Sequence, residues 1–300
     1  MSQGIGVRYT ASGARVLGLE RSENGLAITG IAVGGPGENL ESFIQKSGFS
    51  LDDAVVAYGL TPGNFLSAFL KRDTSLSEEQ AKSQITWEIE RKMISGTSDY
   101  IIDYITADLG FIFAGRKAII EEMHGSIPRF ITDVEPVALY NGCDSVGEIG
   151  NGGMLLISVE ADGISSVLLW DGELIYMDSY PVKEEKLSVM LAGMDVNAMK
   201  DIDRSTMERF RDYTMETIER TTIHANEQDK EKPEKILLAG CAVHIGDLPN
   251  MIGEASGITT LVSDPFAPFS DDITSRYPEL SDKGAAFTTC FGLAARALED

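Results

Sequence analysis

The chain has 300 residues, 43% of them hydrophobic and 8% aromatic. That is the composition of a globular protein with a proper core, and the length predicts two lobes rather than one small domain. Asp and Glu number 47 against 25 Lys and Arg, a formal net charge of -22, which repels phosphate backbones and anionic lipid surfaces and argues against nucleic acid as a partner.

Cys143, Cys241 and Cys290 stand far apart with no C-x-x-C pair, and His124, His224 and His244 are equally scattered. Neither a disulfide framework nor a zinc knuckle is expected. No apolar run reaches a membrane-spanning length, and the opening MSQGIGVRYT lacks the basic and apolar regions of a signal peptide. A reducing, cytoplasmic location without membrane insertion is the expectation.

Residues 4–33 read as a three-strand meander with turns at Ser12-Gly13 and Asn24-Gly25. The run Gly34-Gly35-Pro36-Gly37 breaks it, and Glu38 to Phe49 predicts a short helix with Leu40, Phe43 and Ile44 on one face. Asp53 to Tyr58 is a buried strand, Thr61-Pro62-Gly63 a turn, and Phe65 to Leu70 a further strand. Ser77 precedes Gln80 by three residues, a capping box that opens an amphipathic helix over 78–94, with Ala81, Ile85, Ile89 and Met93 at helical spacing. Strands follow at Tyr100 to Thr106 and Gly110 to Gly115, then a helix from Lys117 to His124 and a strand from Arg129 to Val134. Pro136 marks a helix entry. The stretch Gly142 to Gly153 is rich in Gly, Asp and Glu and places the lobe boundary there.

Met154 to Tyr180 repeats the meander, cut by Asp162-Gly163 and Asp171-Gly172, pairs suited to two-residue hairpins because both central positions want positive φ. Glu184 to Leu191 looks helical, and the longest helix is expected from Arg204 to Asn226, with Met207, Phe210, Thr214, Ile218 and Thr221 or Thr222 on one side. Beyond the linker EQDKEKPEK come a strand at Lys235 to Ala239, a helix at Gly246 to Ala255, a strand at Thr259 to Val262, a long loop at Pro265 to Asp282 and a terminal helix at Gly284 to Leu298. Each half thus opens with a meander and ends in helix and strand material.

This order resembles the plan of the superfamily of actin, chaperone ATPases and sugar kinases. Within it, GVRYTASGARVLGLE, LSEEQAKSQITWEIERKMISGTSDYIIDY, FIFAGRKAIIEEM, ITDVEPVALYN, ETIERTTIHAN and CFGLAARAL, in that order along nearly all the chain, resemble segments of the PilM family. PilM proteins are the actin-like cytoplasmic components of type IV pilus assembly, related to FtsA and to the cytoplasmic part of GspL. The resemblance implies an α/β, duplicated ribonuclease H-like (actin-type) two-lobed fold. The first lobe covers 1–150 with an inserted sub-domain at about 36–109, and the second covers 151–300 with a helical insertion at about 184–232.

The family usually binds ATP between its lobes, and the resemblance places the phosphate loops. Where the first loop carries Asp-x-Gly and a later Lys, this chain has Arg8, Thr10 and Arg15. Where the second carries Asp-x-Gly, it has Ser158 and Glu160. The glycine-rich adenosine loop becomes Ala239, Gly240, Cys241 and Ala242. Loss of both loop carboxylates removes the evident magnesium site and the parts phosphoryl transfer relies on. Two alternatives stay open: Arg8 and Arg15 hold a nucleotide weakly without metal, or Arg8 pairs with Glu160 and closes the cleft. A non-catalytic adaptor for a PilN-like cytoplasmic segment of an inner-membrane pilus protein is the expected function, with an ATP-using enzyme or switch as the alternative and homo-oligomerisation left open. Trp87, with Glu88, is either a peptide-groove residue or a core aromatic, and burial statistics favour the core. Glu135 is expected to be a charge at a helix N-terminus. His124 and His244 are expected at the surface or at helix ends.

Overall fold

The computed structural model describes residues 3–10, 13–23, 25–35, 39–71, 77–93, 96–106, 109–182, 202–227 and 229–299. The expected helix Glu184 to Leu191, much of the insertion at 184–232, and Ser12, Asn24, Pro36 and Gly37 of the expected turns lie outside the described residues.

The first lobe runs β1 (Gln3–Thr10), β2 (Gly13–Ser22), β3 (Gly25–Gly34), α1 (Leu40–Lys46) and β4 (Ala54–Leu60). It continues with β5 (Phe65–Lys71), α2 (Glu78–Glu90), β6 (Tyr100–Thr106), β7 (Leu109–Arg116), α3 (Lys117–His124), β8 (Phe130–Val134) and α4 (Glu135–Ser145). The second runs β9 (Gly153–Val159), β10 (Gly163–Trp170), β11 (Glu173–Pro181), α5 (Arg204–Glu227), β12 (Lys235–Ala239), α6 (Leu248–Ser256), β13 (Thr259–Val262), α7 (Ser270–Arg276) and α8 (Gly284–Ala297).

Two five-stranded sheets have the same topology, β3-β2-β1-β4-β8 and β11-β10-β9-β12-β13. In each the meander is antiparallel and the two later strands run parallel to its first. Central strands β4 and β9 are buried throughout, which is why AVVAYGL and GMLLISV are apolar runs without alternation: helices or the other lobe cover both faces. A third sheet, β5-β7-β6, forms the inserted unit, with Ile89 of α2 packed on Ala68, Ile112 and Ala114. Its strands span 65–116. Helix α1 packs instead on the first sheet, since Leu40, Phe43 and Ile44 share a core with Ile5, Val7 and Val16.

Helices α4 and α8 cross between the sheets, α8 packing on β1, β2 and β4 and α4 on β9, β10 and β11. Helix α8 is buried from Gly284 through Leu293 and Ala294, as a helix apolar all round must be. The crossing is backbone to backbone: a Cβ on Gly142 would sit 2.2 Å from the Thr288 carbonyl oxygen, and one on Gly292 1.9 Å from that of Ala138.

Three expectations change. Asp171 (φ 53) and Gly172 (φ 81) do form the two-residue turn, but Asp162-Gly163 does not: Gly163 already belongs to β10 and residues 160–162 make the connection. Pro62 lies so close to Gly163 that a Cβ there would meet its ring at 2.4 Å, and Asp162 turns toward Arg8. The expected loop Pro265 to Asp282 is largely helical, with α7 between two 3-10 turns. Asp271 and Asp272 favour its N-terminus and buried Ile273 anchors it. Trp87 is 55% exposed rather than in a core, because α2 turns Ile89 to the sheet.

Candidate functional site

The residues singled out at the two phosphate loops converge between the lobes. Arg8 on β1 and Arg15 on β2 pair with one another across the hairpin register, so both side chains leave the same region of the sheet. Opposite them, the turn after β9 presents Glu160 and Asp162, and the first turn of α4 presents Glu135. Arg8 Nε donates to Glu135 Oε1 at 3.2 Å and its Nη2 to Asp162 Oδ1 at 2.5 Å, with Glu160 Oε1 at 3.8 Å from Nε. Arg15 Nη2 donates to Glu160 Oε1 at 2.7 Å, and its Nη1 donates to the Ala286 carbonyl at the start of α8. Ser158 Oγ donates to Glu135 Oε1 at 3.4 Å. Arg8, Arg15, Glu135, Ser158 and Glu160 are all buried.

Electrostatics follow from that burial. Burial alone would lower the Arg8 pKa, but Asp162, Glu135 and Glu160 outweigh it and hold the guanidinium well above its ordinary value. Glu135 is raised as well, but by burial: burial, reinforced by Asp162 and Glu160, pushes its carboxyl up to about 7 against the pull of Arg8. Its Oε2 is buried and has no hydrogen-bond partner. Gly240 holds φ 93 and donates its N–H to the Ala285 carbonyl at 2.8 Å. A Cβ there would lie 2.4 Å from the Val159 carbonyl oxygen. Cys241 is fully buried, and burial pushes its thiol up. Thr10 donates to the Gly13 carbonyl of its own hairpin.

The structure brings together Arg8, Arg15, Ser158 and Glu160, with Glu160 3.8 Å from Arg8. It adds two members that the sequence placed elsewhere. Asp162 read as a turn former and Glu135 as a helix-end charge; Glu135 does occupy the first turn of α4, but its carboxylate is spent on Arg8. The signal for Asp162 was its spacing two residues beyond Glu160. His244, expected at the surface or a helix end, is the last residue of a 3-10 turn, with its Nε2 buried and unpartnered, and burial together with Lys283 lowers it to about 4.

A groove of about 290 Å³ opens between the inserted sheet and the first lobe. Ile101 and Asp103 of β6, Phe113 of β7, Ile120 of α3, Asp133 of β8, Val137 of α4 and Arg296 of α8 line it. Burial pushes the Asp133 carboxyl up to about 6. Both β6 and β8 are edge strands of their sheets. Trp87 and Glu88 lie outside this groove; Arg91 stacks over Trp87 at 4.8 Å and pairs with Glu88 at 3.5 Å.

No family model and no curated protein sequence matches the chain. Solved structures do. A chain of a PilM-PilN type IV pilus biogenesis complex is 16% identical, with a TM-score of 0.72 over 99% of this chain and 99% of that one. A Bacteroides thetaiotaomicron protein described as having an actin-like ATPase fold and unknown function is 13% identical, with a TM-score of 0.50 over 87% and 90%. The fold is that of the actin-like ATPases. A ROK family glucokinase from Streptomyces griseus, in complex with glucose and AMPPNP, matches at 10% identity and a TM-score of 0.52 over 99% and 100%.

For an actin-like chain the cleft donors decide whether a magnesium nucleotide fits. Magnesium takes carboxylate and water oxygens in near-octahedral array. Here Glu135, Glu160 and Asp162 face guanidinium groups instead, and no cluster of three His, Cys, Asp or Glu among the described residues is placed to hold a metal. The site does not fit a magnesium nucleotide. No helix among the described residues is long and apolar enough to cross a membrane.

Proposed function

We propose that this chain is a non-catalytic actin-like scaffold, a cytoplasmic component of a type IV pilus or related secretion machine that holds a short segment of an inner-membrane partner. The observation that carries this reading is the clasp: the interlobe cleft is filled by Arg8, Arg15, Glu135, Glu160 and Asp162 bonded to one another. Phosphoryl transfer needs metal and a positioned base in that space, and the carboxylates there are engaged by Arg8 and Arg15. The likeness to a chain from a PilM-PilN complex supports the pathway. The groove beside β6, with Ile101 46% exposed, supports a peptide partner seated there, recruiting the chain to the inner face of the membrane.

Two measurements test it. Thermal unfolding with ATP or ADP, each with and without magnesium, should show no stabilisation, whereas a ligand at a hundred times its Kd adds about 2.7 kcal/mol. Fluorescence anisotropy with a labelled PilN-type cytoplasmic peptide should show saturable binding that Ile101→Glu abolishes. Magnesium-dependent hydrolysis of ATP by the purified protein would overturn the reading in favour of an enzyme or nucleotide switch.

A further inference from the structure

The clasp contains more acid than base. Arg8 and Arg15 supply two positive charges and Glu135, Glu160 and Asp162 supply three negative ones when all are ionised, leaving the site at minus one. That excess is not spread evenly. Asp162 is partly exposed, with 30% of its side chain accessible, and Glu160 is held by Arg15 at 2.7 Å. Glu135 shares Arg8 Nε with Glu160, at 3.2 and 3.8 Å, and all its hydrogen bonds fall on Oε1. Arg8 and Ser158 both donate to that oxygen, while Oε2 is buried with no donor at all. A buried carboxylate oxygen with no donor is among the least tolerable groups in a fold, and the usual relief is to take up a proton.

The geometry also fixes what ionisation would do. Glu135 belongs to α4 of the first lobe, and Glu160 and Asp162 to the turn between β9 and β10 of the second. The charged groups acting on Glu135 are Arg8 from β1 and Glu160 and Asp162 from that turn; Tyr58 from β4 lies near Arg8 and Asp162, and Arg15 from β2 and Cys241 lie beyond Glu160. Of these, only Glu160 and Asp162 come from the facing lobe as anions. A charge on Glu135 therefore repels the lobe that Arg8 holds.

We propose that the clasp is a proton-gated latch: Glu135 carries a proton on Oε2 while the lobes are closed, and losing it loosens the second lobe from the first. The elevated Glu135 value agrees with this geometry. The step is a simple acid dissociation: the O–H bond on Glu135 Oε2 breaks, its electron pair stays on the carboxylate and the proton goes to solvent. The inference rests on the cleft being held by its own side chains. Nucleotide titration tests that premise and pH titration without nucleotide tests the latch, so either can fail alone.

The full chain should be compared with Glu135→Gln, which keeps the shape and cannot ionise. Infrared spectroscopy should show a protonated-carboxyl band in the wild type that bleaches as pH rises through about 7. The Gln variant should lack that component and retain the one from Asp133, which bleaches lower. Over the same range, about pH 6 to 8, the protonated fraction falls from roughly nine-tenths to one-tenth. Amide exchange at residues 160–163, corrected for its intrinsic pH dependence, should rise in step in the wild type and stay flat in the Gln variant. A wild-type spectrum without the Glu135 band at about pH 6 overturns the proposal. So does the same exchange profile in both proteins.

Discussion

Arg15→Met removes one charge from the clasp and keeps most of its volume. Arg15 is 2% exposed and sits 2.7 Å from Glu160. At an effective dielectric of about 20 the pair attracts by about 6 kcal/mol, part of which only offsets the desolvation of both groups. Removing one partner leaves Glu160 buried with only the longer 3.8 Å approach of Arg8, so the single change should destabilise by about 3–5 kcal/mol. Glu160→Gln in the same background removes the orphaned charge and should restore about 2–3 kcal/mol, the coupling read from a double-mutant cycle. Urea unfolding at neutral pH measures all four proteins, with m unchanged if only the native clasp is altered. An Arg15→Met loss under about 1 kcal/mol, or a coupling indistinguishable from zero, would refute the view that this ion pair holds the cleft.

Other outcomes follow from the same structure. His244 sits at about 4 in the folded chain against 6.5 as an unburied group. The unfolded state therefore binds more protons between those values, so the His244 contribution is whole above 6.5 and lost as pH falls toward 4, by roughly 3 kcal/mol in all. His244→Gln should flatten that acid limb in unfolding titrations. Asp133, raised to about 6 from 3.8, has the opposite sign: its contribution is present at low pH and is lost as pH rises through 6, which Asp133→Asn should remove. Trp87→Ala should change unfolding free energy by no more than about 0.5 kcal/mol, since the ring is 55% exposed and contacts Arg91. Gly292→Ala should destabilise by about 3 kcal/mol or more, because its Cβ would lie 1.9 Å from a main-chain oxygen that cannot swing aside, and a lowered midpoint in thermal unfolding checks it.

What the sequence could show was set by range. Helix α2 was legible from Ser77 and Gln80 alone, because a capping box is a four-residue event, and both of its hydrogen bonds are present. The Asp171-Gly172 turn was legible for the same reason. Asp162-Gly163 has the same composition but a different neighbour, Pro62 from the other lobe, and no local pattern contains that contact. Helix α7 was hidden because it is a single short helix flanked by prolines, stabilised mainly by buried Ile273 and by Arg276 donating to the Ile28 and Thr29 carbonyls of β3. Within the clasp, the pairing of Arg8 with Glu160 was open to charge reasoning across the loops. The stronger partners of Arg8 are Glu135 and Asp162, and choosing among three carboxylates needs distances.

The charges in the cleft form one complementary set. A cleft built for a nucleotide is cationic and metal-bearing, and it closes around an anion that arrives from solution and leaves again. Here the turn after β9 carries its own anions, Glu160 and Asp162, and the first hairpin carries their cations. On the reading proposed above, an anion tethered to one lobe has no dissociation into solution, so closure would depend on neither nucleotide concentration nor hydrolysis. Single reversions therefore should not rebuild a nucleotide site. Arg8→Asp alone would set a fourth carboxylate beside Glu135, Glu160 and Asp162, with Arg15 as the remaining clasp cation. The clasp is one unit of five side chains, and the backbone contact of Gly142 and Gly292 behind it keeps the two lobes in the register that those five require.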